Sequence, residues 1–497
     1  MSLEDVTQYP LVLSHTPKIP YVLAKQKKVL PLEETQDHYL VAIADAKNWE
    51  AVEELRLLLN KPIKLVVAAT SAVERGIELC YRQKEGETQK LFQQMPAEKV
   101  SMLEVHDLLE TRQDNPMVRM VNSILLEAIQ QGASDVHFEP SEEGLLVRYR
   151  IDGVLHFRHR LPRGLENQMA TRLKVMSKLD IAETRLPQDG RIKLSQGGKE
   201  IDFRVSTLPT VHGERIVLRI LDTSTVVLGL EKIGMNEVLL QEVRKLIGMP
   251  EGIVLVTGPT GSGKTTTLYS AVSELDASQM NIVTIEDPVE YKLPGISQMN
   301  VNPRIELDFA KGLRHILRQD PDVIMVGEIR DRETAAIAIQ ASLTGHLVLS
   351  TLHTNDAPSA LTRLTDMGIE PYLLASSVLG VIAQRLVRKI CPHCKVEYTL
   401  SSEERSELKL TQDRACKGTG CSHCFHSGYR GRTGIYELML VSAAVKQQVL
   451  KSQDAEMLRK TAVSEGMNLL FSQGVELVRE GVTTCAEILR VTRFSEL

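Results

Sequence analysis

Gly258-Pro259-Thr260-Gly261-Ser262-Gly263-Lys264-Thr265 carries the pattern G-x-x-x-x-G-K-[ST] of a phosphate-binding loop. The β-branched run Ile253-Val254-Leu255-Val256-Thr257 before it predicts a buried strand entering the loop. Thr266 to Leu275 can form the helix that leaves it. The glycines let several backbone N–H groups converge on one phosphate, and the helix N-terminus adds its positive dipole end. Lys264 supplies a mobile charge for the β- and γ-phosphates, and Thr265 a hydroxyl for Mg²⁺. Thr266 completes the candidate nucleotide contacts. An ordinary glycine-rich turn would explain the glycines but not the Lys-Thr pair beside them.

A chain of 497 residues exceeds one core, so about three or four domains are expected. Hydrophobic content of 43% and charged content of 25% are those of a globular protein, and a net charge of −5 argues against a dedicated nucleic-acid binder. No apolar run approaches the roughly 18–20 residues that span a bilayer. Met1 to Lys27 shows no apolar core or small-residue cleavage site of a secretory signal. The expectation is a cytoplasmic protein, or one held at a membrane by a partner.

Residues 1–95 mix short strand-like and helix-like runs without a catalytic pattern, and the polar stretch Tyr81 to Glu98 looks like a linker. Pro116 to Gln131 is expected as an amphipathic helix with Val118, Val121, Leu125 and Ile129 on its apolar face. Strand signals follow at 135–138, 145–150, 200–208 and 215–221, with a turn at Asp152-Gly153. They outline a second α+β domain over 105–225, and a short connection near 224–230 leads onward. In 230–497, strand candidates at 253–257, 281–285, 322–327 and 346–351 alternate with helices, the sign of a parallel sheet. A cysteine module over 388–433 interrupts this pattern, and 435–497 reads as mostly helical.

Two apolar strands end in acids. Ile282-Val283-Thr284-Ile285 runs into Glu286-Asp287-Pro288-Val289-Glu290, and Val323-Ile324-Met325-Val326 into Gly327-Glu328-Ile329-Arg330-Asp331. Carboxylates at the carboxyl ends of parallel strands face the ligand crevice. Gly327 stands where many P-loop enzymes place a metal-binding Asp. Mg²⁺ is therefore assigned to Thr265 and water, with Glu286 or Glu328 behind them, and Glu328 is the candidate general base. Such acids also serve as helix caps. After the strand His346-Leu347-Val348-Leu349-Ser350-Thr351, His353 and, with it, His346 rank below Glu328 as γ-phosphate sensors. Arg314 and Arg318, at i and i+4, and Arg204 and Arg219, on strands of the second domain, are candidate charges for phosphoryl transfer. Any one of them could equally be a solvated surface charge.

Cys391-Pro392-His393-Cys394 and Cys421-Ser422-His423-Cys424 are two of the places where the chain's seven cysteines fall. Each knuckle puts two thiolates on one turn, so the pair can offer Zn²⁺ a closed, structural four-sulfur site. The segment looks short of apolar residues, and zinc is expected to supply its folding energy. Cys416 and the histidines 393, 423 and 426 are possible substitutes. Cys80 and Cys485 are read as ordinary buried thiols.

Taken together, the phosphate loop, Thr284 to Tyr291, Asp320 to Asp331 and Gly345-His346 through Asp356 resemble the secretion ATPase superfamily. The double Cys-x-x-Cys, Gly132 to Pro140 and Arg185 to Arg191 resemble its type II secretion branch. The resemblance covers about residues 110–480. It implies an α/β multidomain chain: a RecA-like P-loop motor carrying the zinc-binding four-cysteine subdomain, a PAS-like second domain and a small N-terminal α/β domain. It implies Mg-dependent ATP hydrolysis, with arginines of the second domain, by position Arg204 and Arg219, reaching the nucleotide. It further implies a ring homo-hexamer that docks through residues 1–95 on an inner-membrane platform protein, and no nucleic-acid partner. Type IV pilus assembly is the alternative in the same superfamily; a zinc-ribbon, nucleic-acid-dependent ATPase ranks lower, because the cysteine segment mixes both charge signs.

Overall fold

The computed structural model describes residues 23–77 with short breaks, 116–221 except 197 and 198, and 229–492 except 453. The expected linker at 81–98, Cys80 and most of the 224–230 connection lie outside them. The chain divides into two units, Met1–Ser224 and Thr225–Leu497.

In the first unit, β1 (Val29–Glu34) pairs antiparallel with β2 (Tyr39–Ile43), which pairs parallel with β3 (Ile63–Val67). The helix Trp49–Leu59 makes the crossover that a parallel pair requires. Val29, Leu30, Leu32, Val41, Ile43, Val52 and Leu55 form its core.

The second sheet of this unit is antiparallel. Its strands are β4 (Ala133–Ser141), β5 (Gly144–Ile151), β6 (Val154–Leu161), β7 (Gln188–Gln196), β8 (Lys199–Thr210) and β9 (Gly213–Leu221), in the order β6-β5-β4-β9-β8-β7. Asp152 and Gly153 both take positive φ, 49° and 83°, which suits the tight hairpin expected there. Strands β6 and β7 were not foreseen; as sheet edges they lack a continuous apolar face, and Val154 to Leu161 mixes apolar and basic residues without a clean period of two. Helices Pro116–Gln130 and Glu166–Ser177 share a core with Val136, Phe138, Val147, Tyr149, Phe203 and Leu218. The first helix buries Met117, Met120, Val121, Ile124, Leu125 and Ala128. Its buried stripe is thus turned by about one residue from the expected one, leaving Val118 and Ile129 half-buried. Both stripes obey i, i+3, i+4 spacing, so packing chose between them.

The second unit is built on a seven-stranded sheet: β10 (Gly252–Thr257), β11 (Ile282–Glu286), β12 (Ser297–Asn300), β13 (Val323–Val326), β14 (Leu347–Leu352), β15 (Val378–Ile390) and β18 (Tyr429–Leu440). The order is β12-β11-β13-β14-β10-β15-β18, parallel except for β18. Side chains alternate between two cores, as the pleat demands. Ile253, Leu255, Ile324, Val326 and Val348 enter one; Val254, Val256, Val323, Met325 and Leu347 enter the other. Both faces are covered, which is why these strands are continuous apolar runs. Among the described residues no helix is long and apolar enough to cross a membrane.

Two expectations need correction here. Residues 435–440 are not helical: they end β18, which runs antiparallel to β15 from Gly380↔Leu440 to Ile390↔Tyr429. The cysteine module is therefore a connection at the tip of a two-strand ribbon, and the helices begin at Ala443. Nor is the module short of apolar anchors. Its small sheet, β16 (Lys395–Thr399) with β17 (Arg414–Gly418), comes with Leu400, Leu408, Leu410 and Ala415, which all join the main core. Only the knuckles themselves cluster apart.

The ribbon is clamped by Glu487 on the helix Cys485–Thr492. Its side chain is fully buried and accepts hydrogen bonds from the guanidinium groups of Arg388 and Arg490, both at 2.7 Å. Arg388 also lies over the Tyr429 ring at 3.9 Å. Burial alone would raise the Glu487 pKa, but the bonds from Arg490 and Arg388 outweigh it and hold it down to about 2. Such a depressed carboxyl stabilises the fold fully above the unfolded value of 4.5, and that contribution fades as pH falls toward 2. Glu487→Ala should cost about 3–5 kcal/mol, because it leaves the largely buried Arg388 without its carboxylate. In calorimetry the gap between wild type and Glu487→Gln should narrow as pH drops below 4.5; a gap independent of pH would remove the ion pair as its cause.

Candidate nucleotide site

The loop 258–265 leaves the buried strand β10 and turns into the helix Lys264–Ser273. Gly258 and Gly263 have φ of 149° and 90°. A Cβ at Gly258 would lie 2.4 Å from the Gln384 carbonyl oxygen, and one at Gly263 would lie 2.8 Å from Gln384 Nε2. The loop therefore needs glycine at both places, because it packs directly on β15. Gln384 Nε2 donates to the Ser262 carbonyl at 2.6 Å, and Gln384 Oε1 accepts from Thr267 Oγ1 at 2.6 Å. One buried amide thus pins the loop and the helix that follows it. Sequence reasoning missed Gln384; the available signal was a lone amide after the apolar run Val381-Ile382-Ala383.

Lys264 is 8% exposed. Its Nζ donates to the carbonyls of Gly258 at 2.7 Å and Pro259 at 3.3 Å, and lies 3.5 Å from His353 Nδ1. Burial pulls its pKa down to about 8, against the raising effect of Glu328. An ammonium only donates, so His353 Nδ1 accepts and Nε2 carries the proton toward Glu328 Oε2, 3.3 Å away. Arg330 holds the other Glu328 oxygen at 2.6 Å. Lys264, His353, Glu328 and Arg330 are thus brought into one chain.

These residues fit a polyphosphate. The helix Lys264–Ser273 has no side-chain cap and no acid in its first turn, so its N–H groups are free for an anion. Ser262 Oγ is buried without a hydrogen-bond partner among the described residues. Thr265 is exposed, with its hydroxyl available for Mg²⁺.

Glu286 is placed at the end of β11 but does not join the chain. Its carboxylate accepts from Tyr269, from Thr284 at 2.6 Å and from Gln298 at 3.2 Å, and it is 3% exposed. His346 is a correction: it precedes β14 whereas His353 follows it, and six strand residues put about 20 Å between them. Its Nδ1 lies 2.9 Å from the Ala341 carbonyl, at the end of the strand remote from the loop. Arg314 pairs with Glu333 on the surface, and Arg318 donates to the Arg314 carbonyl at 2.9 Å. Arg204 and Arg219 are cross-strand partners on β8 and β9, so they stand side by side on one face of that sheet. Arg219 also reaches Asp135 at 3.1 Å.

The sulfurs of Cys391, Cys394, Cys421 and Cys424 all lie within 4.8 Å of one another. Three of their separations are 3.9, 3.8 and 3.7 Å. A tetrahedron with Zn–S bonds of about 2.3 Å has edges of about 3.8 Å, so the donor set is compatible with Zn²⁺. The backbone N–H groups of Cys421 and Gly428 point at Cys424 Sγ, at 3.2 and 3.3 Å. His393 and His423 stack on each other, ring centroids 4.0 Å apart. Cys416 is not part of the four-sulfur group, and Cys485 is buried beneath Tyr398, whose hydroxyl lies 3.6 Å from its sulfur.

Residues 110–490 match the family model described as type II/IV secretion system protein, and residues 1–87 match the MshEN domain. The chain is 45% identical over 489 residues to the type II secretion system ATPase E of Vibrio cholerae, covering 96% of this chain and 97% of that one. It is 54% identical over 390 residues to the type II secretion system protein HxcR of Pseudomonas aeruginosa, covering 78% and 80%. Among solved structures it resembles the pilus retraction motor PilT with bound ADP, at TM-score 0.53 and 27% identity, over 76% of this chain and 98% of that one. The Legionella pneumophila ATPase DotB, at TM-score 0.57 and 21% identity over 78% and 98%, shares the fold. Gln384→Ala should weaken ADP binding roughly 10-fold by freeing the loop, while circular dichroism stays unchanged; a titration with unaltered affinity would show that the glycines hold the loop alone.

Proposed function

The chain belongs to the type II/IV secretion system protein family and is a secretion ATPase, and on that premise we propose that a ring of six copies converts ATP hydrolysis into force on an inner-membrane platform. The observation that carries the reading of the site is the chain of contacts from Lys264 through His353 to Glu328. ATP phosphates entering the loop draw Lys264 Nζ away from the Gly258 carbonyl, since an ammonium prefers a phosphate anion to a neutral oxygen. Backbone N–H groups of residues 258–265, with Thr266 behind them, hold the β- and γ-phosphates. Thr265 would hold Mg²⁺, which would supply neutralisation of the phosphate charge. Glu328 orients the attacking water and takes its proton, while Arg330 keeps that carboxylate aimed. His353 reports the presence of the γ-phosphate. Glu286 acts behind this group by fixing the start of the loop 286–290.

Arg204 and Arg219 of the second domain supply charge to the transferring phosphoryl group, and the domain swings between ATP- and ADP-bound states. Such motion does work only if the two arrangements differ in nucleotide affinity. Residues 1–95 dock on the platform, 105–225 form the arginine-bearing domain, and 230–497 the motor. The protein then works in the cytoplasm, peripheral to the inner membrane. Cys391, Cys394, Cys421 and Cys424 would hold Zn²⁺, which would tie the two knuckles together. Type II secretion is favoured over pilus assembly because curated relatives at 44–54% identity carry secretion names.

Lys264→Ala should abolish ATP binding, whereas Glu328→Gln should keep it and lose turnover by roughly 10²-fold or more. Full phosphate release by Glu328→Gln would remove Glu328 as the base. Elemental analysis should find one zinc per chain, lost in Cys421→Ser. That variant should still melt as a folded motor, because Leu400, Leu408, Leu410 and Ala415 anchor the module independently.

A further inference from the structure

Four consecutive residues behind His353 are each tied to a different element. The Thr354 N–H donates to Thr257 Oγ1 on β10 at 2.9 Å. Asn355 Oδ1 accepts from Arg385 on β15 at 3.2 Å. Asp356 Oδ2 accepts from Arg459 at 2.9 Å, and its Oδ1 from the Ser359 N–H at 2.8 Å. The Ala357 N–H donates to Glu437 on β18 at 2.9 Å. Three of these ties come from the central sheet. The fourth, Arg459, comes from the helix Ala455–Ser464 in the C-terminal helical part.

Three of the charges in this group are buried, Asp356 at 6%, Arg385 at 8% and Glu437 at 2% exposed, while Arg459 is partly exposed at 23%. Burial pushes the Glu437 carboxyl up and the Arg385 guanidinium down from their ordinary values. Arg385 Nε is buried with no hydrogen bond among the described residues. A cluster this costly is poorly explained by stability, since apolar residues of like size often serve as well. What apolar residues cannot do is fix the direction of a loop, and this loop ends in the half-exposed His353 that faces Lys264 and Glu328.

We infer that Arg459, acting through Asp356, is a positioning residue for ATP hydrolysis: the C-terminal helical part sets the aim of His353, and through it of Glu328. The inference rests on the ATPase reading of the same site. Arg459 Nη2 donates to Asp356 Oδ2, and a lysine ammonium can supply a donor in part of that role.

The test uses the full chain with Arg459→Ala, Arg459→Lys, Asp356→Asn and the double variant Asp356→Asn/Arg459→Ala. Turnover, equilibrium ATP binding and thermal melting are measured on each. Arg459→Ala should lower kcat roughly 10-fold or more while the ATP dissociation constant stays within about twofold. Arg459→Lys should recover part of the rate, and the double variant should be no slower than the slower single one. Unchanged kcat in folded Arg459→Ala, a raised KM at full kcat, or additive losses in the double variant would each overturn the inference. An inactive wild type would instead overturn the ATPase reading, so the two failures are distinct.

Discussion

The buried ammonium of Lys264 is the constraint on which the site depends. A charge taken out of water needs partners of opposite sign or a full set of acceptors. Here it has two backbone carbonyls, a distant imidazole and the field of Glu328. Burial pulls its pKa down to about 8 in spite of Glu328. A phosphate anion supplies what is missing, so the resting loop already favours its ligand. The uncapped helix end and the orphaned Ser262 hydroxyl add to the same preference.

Holding an ammonium in that position requires a rigid frame, and β15 provides much of it. Its neighbours in sequence point to opposite faces of the sheet. Ile382 and Gln384 lie on the face of the phosphate-loop helix, Val381, Ala383 and Arg385 on the face of the loop after β14. Gln384 thereby fixes the phosphate loop while Arg385 holds Asn355. One strand steadies both the groups that grip phosphate and the histidine that would sense it. The same strand pairs with β18 and carries the cysteine module at its end, where Glu487 gathers Arg388 and Arg490.

Much of this was legible beforehand. The phosphate loop has a fixed spacing because backbone geometry around a phosphate is fixed. The four parallel strands were readable because burial on both faces makes each a continuous apolar run. The knuckle cysteines were readable because two thiolates on one turn have few other uses. By contrast, β15 and β18 escaped notice: Gln384, Arg385, Arg388 and Lys389 break the apolar run in one, and Arg430, Arg432 and Glu437 do so in the other. Of these, Gln384, Arg385, Arg388 and Glu437 hold loops or partners, which hides the strands from any periodicity. The edge strands β6 and β7 were hidden for a simpler reason, since an edge buries little.

The residues alone determined that a lysine and a threonine would stand at a helix N-terminus after a buried strand, that acids would end two of the strands, and that four thiols could meet. These are short-range facts, set by spacing along one segment. Only the tertiary structure decided that Glu286 is enclosed by Tyr269, Thr284 and Gln298 while Glu328 faces Lys264 and His353, and that His346 sits at the far end of its strand. It also decided that Gln384, 120 positions beyond Lys264, would close the loop. Partners this far apart in the chain meet only because strand order in the sheet places β10 between β14 and β15, and strand order leaves no mark on local sequence.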